Sequence, residues 1–207
     1  MSRPVPRLHA VTNQTVIALP DLAARAERIA AAGADAGMVA LHARAGGVDA
    51  ARLVELGRLL AEAGVAVLVN DRVDAVLAVG AAGVHLPAAG IPVDVARRLL
   101  GPKALIGRST HSPEEARDAI DAGADYVFLG PIWETPSHPG APALGPAAVE
   151  AAVAASPSAR VIAIGGVTPE RARIVREAGA WGAAAISALW LAEDPEAAAR
   201  AMLLSFS

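Results

Sequence analysis

The sequence predicts one (β/α)8 TIM barrel, a single domain over residues 1–207, and three observations predict it. Short apolar runs alternate with longer amphipathic segments from one end to the other, as repeated βα units require. Several runs, such as Val161-Ile162-Ala163-Ile164 and Val65-Ala66-Val67-Leu68-Val69, are apolar at almost every position, as parallel strands covered on both faces must be. Polar residues collect directly after the runs, where barrels of this type carry their function.

The expected strands are Leu8 to Thr12, Met38 to His42, Val65 to Val69, Gly83 to Leu86, Ala104 to Gly107, Tyr126 to Leu129, Val161 to Ile164 and Ala183 to Ile186. Each precedes a stretch with helical apolar spacing, such as Leu22, Ala26, Ile29 and Ala30. Pro20-Asp21, Ser112-Pro113-Glu114-Glu115 and Thr168-Pro169-Glu170 place capping side chains, or proline with acidic residues, at helix starts. Ala-Gly pairs at 32–33, 63–64, 82–83, 122–123 and 178–179 offer glycine for the left-handed cap at helix ends. Residues 130–145, GPIWETPSHPGAPALG, are too rich in proline and glycine for a long regular element and read as an active-site loop.

Composition narrows the function. The chain is 54% hydrophobic, yet charges interrupt every apolar run, so no membrane span is expected. The segment before the first strand is too short and proline-broken for a signal peptide, which makes the cytoplasm the expected location. There is no cysteine, so disulfides and thiolate chemistry are excluded. A net charge of -3 with 3% aromatic residues argues against a nucleic-acid partner. A homodimer is compatible with the sequence, which does not fix the oligomeric state.

Residues after the strands form the candidate site: Arg44 and His42, Asn70 with Asp71, His85, Ser109 and His111, the proline-rich loop, Gly165-Gly166, and Ile186-Ser187. A strand, two glycines and a helix start at Ile164-Gly165-Gly166-Val167-Thr168-Pro169 let backbone N–H groups approach a phosphate. Ile186-Ser187 after the eighth strand supplies the other half of such a site. Asp71 is either an oxygen ligand for Mg²⁺ or polar substrate, or a helix cap beside an Arg72–Asp74 pair. His42, His85, His111 and His138 can all serve acid/base chemistry, although His85 reads equally well as a satisfied barrel histidine. His138 is preferred, because Ser-His-Pro-Gly in a loop has no core to satisfy.

These motifs together resemble the thiamine-phosphate synthase superfamily, including its TenI-like thiazole tautomerase branch, over essentially the full length. The resemblance lies in Leu8-His9-Ala10-Val11-Thr12, Val69-Asn70-Asp71-Arg72-Val73-Asp74, Gly83-Val84-His85-Leu86, Gly107-Arg108-Ser109-Thr110-His111-Ser112, Asp125-Tyr126-Val127-Phe128-Leu129-Gly130-Pro131-Ile132 and Ile164-Gly165-Gly166-Val167-Thr168. It implies a (β/α)8 barrel that binds a thiazole phosphate, with the phosphate on the glycines after strand seven and on backbone near strand eight. The synthase joins a pyrimidine diphosphate to the thiazole phosphate, expels pyrophosphate and needs Mg²⁺, for which Asp71 would be a ligand.

The synthase pattern Gln-Leu-Arg-Glu-Lys corresponds to Ala40-Leu41-His42-Ala43-Arg44. The carboxylate expected after His85 is missing from Leu86-Pro87-Ala88-Ala89-Gly90, and Thr135-Pro136-Ser137-His138 puts histidine where the family has lysine. These departures lead to the tautomerase as the expected function. It needs no cofactor, with His138 as base, His42 and His111 as further candidates, and Arg44, Asn70, Ser109, Thr135 and Ser137 near the substrate. The tautomerase pattern can itself carry a histidine where Pro131 stands. The synthase is the alternative, and a noncatalytic thiazole-phosphate binder the third reading.

Overall fold

Residues 4–33, 37–135, 140 and 142–206 are described by a computed structural model, in which eight parallel strands close into a barrel. The strands are β1 (Leu8–Val11), β2 (Val39–Ala43), β3 (Ala66–Asn70), β4 (Gly83–Leu86), β5 (Leu105–Thr110), β6 (Tyr126–Leu129), β7 (Val161–Ile164) and β8 (Gly182–Ala185). Each pairs with the next, and Leu8 of β1 stands beside both Val39 of β2 and Ala183 of β8, which closes the ring. Among the described residues, no helix is long and apolar enough to cross a membrane.

Strand side chains alternate between two cores, because successive residues of a strand face opposite ways. Outward residues such as Leu8, Leu41, Val69 and Val127 pack under the surrounding helices. Inward residues such as Leu68, Leu105, Tyr126, Phe128 and Ile162 fill the barrel. His9, His42 and His85 also point inward and are buried at 0%, 1% and 2% exposure. Gly107 makes room for this interior, since a Cβ there would overlap the Tyr126 ring.

Several expectations about local structure change. β5 continues to Thr110, so Ser109 belongs to a strand and is aimed by its pleat. Gly83 opens β4 and caps nothing; Gly80, at φ 71°, ends the preceding helix. Gly33 also lacks the left-handed conformation, whereas Gly64, Gly123 and Gly179 adopt it at φ 75°, 95° and 94°, respectively. Asp71 does not cap the helix Val73–Val79, where Arg72 holds the cap position without a side-chain hydrogen bond. Arg72 does pair with Asp74, at 2.8 Å from Nε. Ser112 and Thr168 cap their helices as expected, but Asp21 makes no side-chain cap bond.

Candidate active site

A cavity of about 440 Å³ opens at the C-terminal ends of the strands, a volume suited to a small organic ligand. Its lining includes His42, Arg44, Asn70, Ser109, His111, Thr135, Gly165, Gly166, Ile186 and Ser187, so ten sequence-predicted residues meet in one place. Ser137 and His138 lie outside the described residues. Asp71 is exposed just beyond Asn70, at the cavity's edge, and does not line it.

The β7–β8 side gathers unpaired backbone N–H groups and positive charge. Gly165 and Gly166 have φ of 90° and 67°, which side-chain-bearing residues rarely adopt. A Cβ on Gly165 would lie 2.6 Å from Pro131, and one on Gly166 2.7 Å from the Trp133 Cβ. The chain then enters the helix Pro169–Glu177, capped by Thr168, whose amino end contributes partial positive charge. Among the described residues, the backbone N–H groups of Gly166, Val167 and Ser187 have no hydrogen-bond partner. Arg171 adds full positive charge: it donates to the Gly166 carbonyl oxygen at 2.8 Å and its guanidinium lies 4.8 Å from the Trp133 ring centroid.

The opposite wall comes from β2 to β5. Thr12 Oγ1 accepts the Arg44 backbone N–H at 2.9 Å and donates to the Arg44 carbonyl oxygen at 2.7 Å, which fixes the chain where Arg44 reaches the cavity. Burial lowers the Arg44 pKa. His85 bridges the Tyr126 hydroxyl, 3.1 Å from Nδ1, and Ser109 Oγ, 2.9 Å from Nε2. His85 is thus a satisfied barrel histidine and the support of Ser109. Burial, reinforced by His9 and nearby guanidinium groups, holds the His85 pKa well below the usual imidazole value. His42 is lowered in the same way, first by burial and then by His9, His85 and Arg44. His111 donates from Nδ1 to the Gly130 carbonyl oxygen at 2.7 Å, leaving Nε2 as the nitrogen able to exchange a proton.

Sequence reasoning missed Arg171 and Glu134, both in the lining. Arg171 was legible as the third residue of the helix behind Gly165-Gly166. Glu134 sits inside the loop that was read only as a whole.

The family model described as thiamine monophosphate synthase matches residues 8–189. The chain belongs to that family. It is 52% identical over 141 residues to the thiamine biosynthesis bifunctional protein ThiM/ThiE of Symbiobacterium thermophilum, covering 68% of this chain and 29% of that protein. With the thiamine-phosphate synthase of Natronomonas pharaonis it shares 45% identity over 148 residues, 70% of this chain and 69% of that one. The structure of thiamine phosphate pyrophosphorylase from Pyrococcus furiosus superposes with a TM-score of 0.80 at 31% identity, covering 97% and 95% of the two chains. The family model and the Natronomonas pharaonis relative bear the name of the synthase, which favours the joining reaction over the tautomerisation expected from the sequence.

Proposed function

We propose that this thiamine monophosphate synthase family member acts in thiamine biosynthesis as a thiamine-phosphate synthase, joining a pyrimidine diphosphate to thiazole phosphate with loss of pyrophosphate. The observation that carries the proposal is one cavity with two unlike ends. At one end, the backbone of Gly166, Val167 and Ser187 with Arg171 suits the thiazole phosphate. At the other, Arg44 and Asn70, with Asp71 at the edge, suit a second, charged substrate.

Among the described residues no three His, Asp or Glu side chains cluster as metal ligands, so Asp71 and substrate oxygens would have to hold the Mg²⁺ that this reaction implies. Mg²⁺ is commonly held by one or two carboxylates together with substrate phosphate oxygens. Asp71 offers one carboxylate, and it is the one non-glycine residue with positive φ among the described residues, at 65°. Its N–H donates to the His85 carbonyl oxygen at 2.9 Å, so β4 holds it in that conformation. Strain of this kind gathers at functional sites. When bound, Mg²⁺ would neutralise diphosphate charge as pyrophosphate departs. Arg44 would orient the same diphosphate, and Ser109, braced by His85, would hydrogen-bond the ring bound between the two ends.

The tautomerase remains the second reading, because Pro87 and Ala88 line the cavity where a further carboxylate would serve Mg²⁺. In that reading His111, His42 or the loop residue His138 moves the ring proton. The test supplies purified protein with the pyrimidine diphosphate, thiazole phosphate and Mg²⁺, and separately with the carboxythiazole phosphate tautomer. Thiamine phosphate in the first mixture supports the synthase. Accelerated aromatisation in the second, with none in the first, replaces it with the tautomerase.

A further inference from the structure

The barrel interior holds a row of buried imidazoles to which the proposed synthase reaction assigns no step. His9 Nε2 lies 3.1 Å from the Pro6 carbonyl oxygen, and His9 Nδ1 lies 2.8 Å from His42 Nε2. A carbonyl oxygen can only accept, so His9 carries its proton on Nε2. Burial lowers the His9 pKa to about 3, so the ring is neutral and its Nδ1 is a bare acceptor. The proton between the two rings therefore belongs to His42 Nε2. His42 is neutral as well, which leaves its Nδ1 unprotonated.

That nitrogen faces the cavity. His42 lines the cavity, and its Nδ1 has no hydrogen-bond partner among the described residues. The one sealed side-chain polar atom without a partner among those residues is Trp190 Nε1, so His42 Nδ1 is open to the cavity. Packing holds the ring there: its centroid is 5.1 Å from that of His9, 5.1 Å from Phe128 and 5.5 Å from His85.

We infer that His9 is a positioning residue that fixes the tautomer of His42, so that the cavity wall at β2 offers ligands an unprotonated nitrogen. This position accepts a hydrogen bond from an N–H or O–H of the ligand, or a proton from it. A carboxylate or phosphate oxygen is disfavoured at that nitrogen itself, because His42 Nδ1 has no proton to give it. The inference needs a ligand in this cavity but not the synthase reaction, so either can fail alone.

Two-bond ¹H–¹⁵N correlation spectra of the histidine-labelled full chain at pH 7.5 test it without substrate. Wild-type His42 is expected to show a protonated Nε2 and a bare Nδ1. His9→Asn, whose side-chain oxygen takes the place of Nδ1, keeps that pattern, whereas His9→Leu, which offers no acceptor, gives a mixture of tautomers. Protonation of His42 on Nδ1 in the wild type overturns the inference, as does an unchanged His42 in folded His9→Leu. If His9→Leu does not fold, loss of the wild-type pattern in His9→Asn overturns it, and its retention there supports it.

Discussion

Arg171 Nη1 and the Gly166 carbonyl oxygen meet at 2.8 Å, so the cation nearest the phosphate end is tied to the backbone that forms it. The Trp133 ring beside the guanidinium leaves it little freedom to leave. Arg171→Ala is therefore expected to weaken binding of thiazole phosphate about tenfold or more, the value of a charge-assisted hydrogen bond. Arg171→Lys should restore only part of it, since ammonium lacks the planar fork. Titration calorimetry of the three proteins checks both statements, and equal affinities would remove Arg171 from the site.

Gly166→Ala combines a left-handed backbone with a Cβ placed 2.7 Å from the Trp133 Cβ. The expected loss is about 1–3 kcal/mol of stability, read by denaturant unfolding. Affinity for phosphorylated ligand falls with it, because relief of the contact must move either the backbone amides or the loop at Trp133.

Asp71→Gly separates stability from function. Glycine accepts φ 65° without strain, so the substitution is expected to be neutral or stabilising, by about 1 kcal/mol at most. Thiamine phosphate formation should nevertheless collapse, with Asp71→Asn behaving alike. A fully active Asp71→Gly protein would place the Mg²⁺ function elsewhere.

Much of this was legible in the sequence. The boundaries of Gly83–Leu86, Tyr126–Leu129 and Val161–Ile164 agree to the residue, because their apolar runs stop where the barrel core stops. β5 extends past its apolar run because Arg108, Ser109 and Thr110 are polar, and apolar patterning cannot see a strand that ends by facing a cavity. The φ of Asp71 leaves no trace in residue type, since it is held by the Asp71 N–H bond to β4. The His9–His42 bond joins residues 33 apart, and only the strand register, which sets His9 beside Ala40 and so two residues from His42 along β2, brings them within reach. The glycine pair at 165–166 was plain because its backbone requirement is local.

The buried histidines also make stability fall in acid. His9, His42 and His85 have folded-state pKa values below the ordinary imidazole value of 6.5, His9 at about 3. Their contribution is present above pH 6.5 and is lost as pH falls from there toward the folded values, because the unfolded chain takes up protons that the native barrel refuses. Each group contributes a slope of roughly 1.4 kcal/mol per pH unit well inside that window. Urea unfolding at pH 7.5, 6 and 5 should show the decline, and His9→Asn should make it shallower. A flat profile would mean that the imidazoles charge within the folded state.

The central claim is that one cavity holds a thiazole phosphate by its phosphate at Gly165-Gly166 and Ile186-Ser187. A crystal structure of the protein soaked with thiazole phosphate tests it most directly. Phosphate oxygens are expected within hydrogen-bond distance of the Gly166 and Ser187 backbone N–H groups, with the ring directed toward Ser109 and His42. A phosphate seated instead at Arg44 and Asn70, or outside the cavity, would contradict it.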